Sequence, residues 1–156
     1  LKKLIFVCSG NTCRSPLAGG IAKQIFPDKL LQTIQISSAG TSAVNGLGAS
    51  ELAIETARKN GIDITGHKTR LLTRSLILGA DMIVAMTEQH RFAVGALEPS
   101  ASAYTYIAGE FLNVDGGEID DPIGCGRDAY ERTFNRLKEC ILSLSERLEN
   151  FDGWKQ

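Results

Sequence analysis

The sequence has no run of about 18 apolar residues, so no segment of it reads as a membrane-crossing helix. It has no excess of either charge: 17 Lys+Arg against 18 Asp+Glu leave −1. A chain so balanced is not built as a whole to coat nucleic acid or an anionic membrane, and any anion site in it must be local. There is no C-x-x-C pair, and the two histidines, His67 and His90, lie far in sequence from the four thiols, which argues against a zinc site. No GxxxxGKS or GxxxxGKT loop occurs, which excludes that kind of nucleotide site. Internal repeats, low-complexity tracts and linkers are absent too. The apolar run after Lys2-Lys3 is too short for a signal peptide, since polar Ser9-Gly10-Asn11-Thr12 interrupts it. The expected location is the cytoplasm, where Cys8, Cys13, Cys125 and Cys140 read as free thiols.

What is present is ordinary globular material. The chain has 156 residues, 43% of them apolar and 22% charged. That predicts one domain over residues 1–156, with a core that needs no metal or disulfide staple. Lys3 to Cys8 reads as a buried strand. Ser15-Pro16 opens a helix to about Phe26, with Ser as cap and Pro at the first helical position. Thr33 to Ser38 is a second strand and Ala39 to Gly48 a loop. Ala49 to Asn60 is a helix stopped by Gly61. Thr65 to Arg70 is irregular, and Thr73 to Leu78 is a short helix. Ala80 to Met86 is a third strand, and Thr87 caps the helix after it. Tyr104 to Ile107 is a fourth strand, and Gly109 to Gly126 a long loop. Asp128 to about Asn150 is a terminal helix with an apolar stripe of Tyr130, Phe134, Leu137, Ile141, Leu144 and Leu148. Strands alternating with helices predict a three-layer, Rossmann-like α/β fold: a four-stranded parallel sheet flanked by helices on both faces. Ligands in such sheets sit at the carboxyl ends of strands, and Cys8 is one of those ends.

The segment that follows carries the chemistry: Cys8-Ser9-Gly10-Asn11-Thr12-Cys13-Arg14-Ser15-Pro16. A tight loop between strand and helix can turn its N–H groups inward around an anion, with Gly10 supplying dihedral freedom. The helix start adds positive potential at the same place. Arg14 can fork two oxygens of a phosphate-like group. A cysteine at the centre of such a cradle sits in a field that favours the thiolate, and Ser15 is placed to donate to it. Transfer of a phosphoryl group to the sulfur follows naturally.

This Cys-x5-Arg loop with Ser-Pro after it resembles the low-molecular-weight protein tyrosine phosphatase family, and the resemblance extends along the whole chain. Asp121-Pro122 stands where the family has its general-acid Asp-Pro pair. Ser38-Ala39-Gly40-Thr41-Ser42 is similar to its serine-bearing loop, and Gly66-His67 to its supporting histidine. The resemblance implies that Cys8 is the nucleophile, that Arg14 and the amides of residues 9–15 bind phosphate, and that Asp121 is the acid. It also implies that Asn11, Ser15, Ser42 and His67 brace the loop, and that Cys13 forms a protective disulfide with Cys8 on oxidation. Asp120 and Asp115 compete with Asp121 for the acid's role. His90 reads as solvated on a surface helix, and Cys140 as core.

Two positions bear on the substrate. Many phosphotyrosine-cleaving members have Ile where this chain has Thr12, and an aromatic residue where it has Ile123. The bacterial protein arginine phosphatases within the family carry Thr in a similar loop. The expected substrate is therefore protein phosphoarginine, with phosphotyrosine as the alternative. Arsenate reductase is a reading of another class, but its relay cysteines would lie near Met82, Met86 and Gln89, where there are none. A non-catalytic phosphate-binding module would not need both Cys8 and Asp121. Expected partners are phosphorylated proteins, with phosphate, sulfate or vanadate as site anions. No nucleic acid, membrane, metal or cofactor is expected, and the chain is expected to be a monomer.

Overall fold

The computed structural model describes residues 1–112 and 117–156; Asp115 lies outside the described residues. The sheet is built from β1 (Lys2–Cys8), β2 (Ile34–Gly40), β3 (Met82–Ala85) and β4 (Thr105–Ile107). All three pairings are parallel, and the strand order is β2-β1-β3-β4. The helices are α1 (Arg14–Ile25), α2 (Asp28–Leu31), α3 (Glu51–Lys59), α4 (Arg74–Gly79), α5 (Glu88–Leu97) and α6 (Gly126–Leu148).

β1 is buried from Leu4 to Cys8 because both faces of the sheet are covered. Leu4 and Phe6 pack into one core with Leu17 and Ile21 of α1 and Phe134, Leu137 and Ile141 of α6. Ile5 and Val7 pack into the other with Ile77 of α4 and Val94 of α5. The whole predicted stripe of α6 is buried. Fully burying each such side chain contributes about 1.5–3 kcal/mol, so this helix clamps α1, and with it the loop that precedes α1. The chain leaves β1 towards β2 on one side and returns to β3 on the other. The carboxyl end of β1 is thus the switch point of the sheet, and Cys8 occupies it.

The structure moves some predicted boundaries. β2 runs two residues beyond Ser38, because Ala39 and Gly40 pair with Val7 and Cys8. α1 begins at Arg14, with Cys13 at its N-cap position making no side-chain cap bond. Ser15 is therefore not a cap but lies in the first turn, its hydroxyl used elsewhere. Pro16 is still in that turn, where a missing N–H costs nothing. The expected cap Thr87 does accept from His90 N, and Thr73, expected inside its short helix, is instead the cap of α4, accepting from Leu76 N. α2 and two 3-10 turns at Pro99–Tyr104 and Ala108–Phe111 were not legible, being too short for a periodic signal. Among the described residues no helix is long and apolar enough to cross a membrane.

Candidate active site

At the end of β1 the sulfur of Cys8 meets Ser15 Oγ at 2.9 Å, both residues being buried. Asn11 Nδ2 donates to the same Oγ at 2.8 Å. That occupies a lone pair of Ser15 and leaves its proton for the sulfur, a bond that strengthens when the sulfur is ionised. Asn11 ties the loop together. Its Nδ2 also donates to Ser38 Oγ (2.9 Å), and its Oδ1 accepts from Arg70 N (2.9 Å). Its carbonyl lies 2.7 Å from His67 Nε2, which must be the donor because a carbonyl only accepts. Burial pushes His67 below its ordinary value of 6.5.

The dihedral freedom expected of Gly10 is used one residue later. Asn11 is the left-handed residue, with φ 59°, and asparagine tolerates that region better than most side chains. The glycine that the loop does require is Gly40, on the neighbouring strand. A Cβ there would stand 2.3 Å from Ser9 O and 2.8 Å from Asn11 N. Ser42 touches the loop through its backbone, donating from N to Ser9 O at 2.9 Å, while the serine side chain that meets Asn11 is Ser38. Among the described residues, none of the backbone N–H groups of residues 10–15 donates to a protein acceptor. Those donors sit at the amino end of α1, where potential is positive.

Arg14 is buried and held from three sides. Nη1 donates to Ile119 O at 3.0 Å, and Nη2 lies 3.4 Å from Ser9 Oγ and 3.5 Å from Asp121 Oδ2. Ile119 is itself fixed by its N–H on Met86 O, just past β3. Asp121 comes from the loop before α6, and its Oδ1 accepts from Ile123 N at 3.1 Å. Among the described residues its neighbour Asp120 contributes only a backbone carbonyl, which accepts from Thr133 Oγ1. Between these two aspartates, the structure brings the carboxylate of Asp121 to the arginine.

His90 departs from expectation. It is not solvated: it is 3% exposed, with Nε2 2.8 Å from Ser9 Oγ and Nδ1 2.9 Å from Thr87 Oγ1. The charged neighbours Glu88 and Arg91 hid this, because the ring turns inward beneath the cap of α5. Burial, then the nearby Arg14 charge, lowers its pKa from 6.5 to about 4, against the opposing pull of Glu118 and Asp121. The folded protein therefore binds fewer protons at His90 than the unfolded chain between these values. Stability should fall as pH drops from 6.5 towards about 4, the loss being complete below that. Thermal melts across that range check it: His90→Gln should flatten the slope, and an unchanged slope would place the acid sensitivity elsewhere.

The remaining cysteines take different places, and all four are free. Cys13 is buried, its sulfur 3.3 Å from Ser50 Oγ and 3.2 Å from Tyr130 OH. Burial and the bond from Cys13 push Tyr130 up to about 12. Cys140 is core, as expected, and burial pushes it to about 11. Cys125 is exposed in the turn after Asp121-Pro122.

A thiol on a strand end, a buried guanidinium, unpaired loop amides and a carboxylate across the loop make a site for phosphoryl transfer. The family model for low molecular weight phosphotyrosine protein phosphatases matches residues 3–151, and the chain belongs to that family. It is a cysteine-dependent protein phosphatase. Its relatives carry two specificities in their names. The low molecular weight protein-tyrosine-phosphatase PtpB of Staphylococcus epidermidis is 35% identical over 139 residues, 89% of this chain and 94% of that protein. A protein-arginine-phosphatase of Geobacillus stearothermophilus is 31% identical over 147 residues, 94% of this chain and 96% of that one. Among solved structures, a cysteine-to-serine mutant of the arginine phosphatase YwlE, with its active-site serine phosphorylated, superposes with a TM-score of 0.88. It is 29% identical, over 96% of this chain and 97% of that one.

Proposed function

We propose that the chain acts as a single-domain phosphatase on protein phosphoarginine, through a phosphocysteine at Cys8. The observation that carries the mechanism is the contact chain around one loop. Ser15 donates to the Cys8 sulfur, and Arg14 meets Asp121 at 3.5 Å. The sulfur attacks phosphorus and the bond to the leaving nitrogen or oxygen breaks. Asp121 passes its proton to that leaving atom. The resulting carboxylate then takes a proton from water, whose oxygen displaces the sulfur and releases phosphate. Nη1 of Arg14 is held by Ile119, and among the described residues Nε makes no hydrogen bond. The Nε–Nη2 edge is thus the donor pair for two phosphoryl oxygens, beside the amides of residues 9–15. Phosphate, sulfate and vanadate would bind in the same place. Formation of a phosphoenzyme is supported by the phosphorylated serine of the YwlE mutant.

The substrate reading rests on two residues that flank the site in sequence. Thr12 is half-buried, and Ile123, directly after Asp121-Pro122, is 56% exposed. A hydroxyl in the loop suits a planar, charged phosphoguanidinium, and an aliphatic rim offers a phenyl ring no aromatic partner. In this reading the enzyme works as a cytoplasmic monomer. Comparing kcat/KM on phosphoarginine and phosphotyrosine peptides tests it. The wild type should favour phosphoarginine, and Thr12→Ile should shift the ratio towards phosphotyrosine by about 10–100-fold, the worth of one altered pocket contact. A wild type that prefers phosphotyrosine would overturn the substrate assignment and leave the mechanism standing.

A further inference from the structure

His90 has no part in the mechanism above, yet it is buried against the loop. Its contacts form a line: Thr87 Oγ1 to Nδ1 at 2.9 Å, Nε2 to Ser9 Oγ at 2.8 Å, and Ser9 Oγ to Arg14 Nη2 at 3.4 Å. Thr87 is fixed as the N-cap of α5, accepting from His90 N at 3.3 Å. The other nitrogen of the same guanidinium is held by Ile119 O, and Ile119 N by Met86 O. Both supports of Arg14 therefore start from adjacent residues, Met86 and Thr87, where the chain leaves β3.

We infer that His90 is a positioning residue, which holds the Ser9 hydroxyl against Arg14 and so aims the guanidinium at the phosphoryl group. An arginine only donates, so Ser9 Oγ must accept from Nη2. The serine proton, or the ring's Nε2–H, then makes the bond to His90, and in either arrangement Ser9 cannot swing away from the guanidinium. Without the ring, Ser9 is free to rotate, and Nη2 keeps only the long contact to the exposed Asp121 carboxylate. A neutral ring also suits this place. An imidazolium would face the Arg14 charge, with Glu118 and Asp121 the opposing carboxylates nearby. The inference rests on the phosphatase reading of the site.

Two amide substitutions separate the ring's contacts. In His90→Gln the amide nitrogen stands close to where Nε2 was and can keep Ser9. In His90→Asn it stands close to Nδ1 and keeps Thr87 instead. With an aryl phosphate, Gln should stay near wild-type kcat/KM, and Asn should fall about ten-fold, the loss expected for one buried hydrogen bond. Vanadate affinity should fall by a similar factor in Asn. In a Ser9→Ala background the difference between Gln and Asn should vanish, since the path runs through that hydroxyl. Equal activities for Gln and Asn at matched Tm, or a gap that survives Ser9→Ala, would overturn the role of His90. Should either amide variant fail to fold, Ser9→Ala with native His90 decides: unchanged kcat/KM and vanadate affinity would overturn the role, and a ten-fold loss in both would support it. Cys8→Ser is run alongside: turnover surviving there would instead bring down the phosphocysteine reading of the site.

Discussion

Cys8→Ser should abolish turnover of an aryl phosphate, by on the order of 10⁴–10⁶-fold, as expected for loss of a covalent nucleophile. The fold should survive, because the change replaces one buried atom by a smaller one at the end of a strand buried on both faces. Anion binding should survive too. On the proposed mechanism the donors that hold phosphate are main-chain amides and the Arg14 guanidinium, and the substitution touches neither. A serine hydroxyl is far less acidic than a thiol, so it attacks slowly and its phosphoester is a poor point of departure for water. The measurement is paired: kcat for the aryl phosphate and vanadate or phosphate affinity by calorimetry. Undiminished turnover would remove Cys8 from the mechanism. Loss of both turnover and binding would mean that the thiol shapes the loop rather than reacting in it.

Asp121→Asn is the second large effect, and its size should depend on the leaving group. The amide keeps the oxygen that accepts from Ile123 N, so the loop before α6 should hold its shape. What goes is the proton. General acid catalysis contributes typically 10²–10⁴-fold, most where the departing group is most basic. A dinitrophenyl ester, which needs no proton to leave, should lose little in the first step. A phosphoarginine peptide should lose most, since free guanidine is among the strongest bases a protein can expel. On the proposed mechanism the same carboxylate activates water, so with the activated ester the phosphoenzyme should accumulate as a burst. Kinetics across a series of leaving groups decides this. A loss independent of leaving-group basicity would send the search for the acid elsewhere, with Asp120 the nearest carboxylate in sequence.

How much of this could be read from the residues alone depends on how local each signal is. Cys8 at a strand end, the cap Thr87 and the stripe of α6 are written in neighbouring residues, and local patterns report them. Asp121, singled out by its pairing with Pro122 and its place before the last helix, is the aspartate of that loop found 3.5 Å from Arg14. His90 was not legible. Its direction is set by a threonine cap and a serine 81 residues away, and the charged residues beside it imitate a solvated face. The bond between Asn11 and the side chain of Ser38 was missed for a similar reason. It follows from β2 extending to Gly40, which a hydrophobic alternation ending at Ser38 did not reveal. Ser15 looked like a cap because serine before proline so often is one, whereas here its hydroxyl is committed to a sulfur.

Gly40 shows where the anion loop gets its shape. The backbone of that residue lies flush against Ser9 and Asn11, with no room between for even a methyl group. The loop is thus cast in a mould supplied by the next strand, much as a bearing is seated by its housing. Grafting the nine residues from Cys8 to Pro16 onto another strand and helix would carry over the reactive groups without their seat. The smallest transplantable unit includes the end of β2.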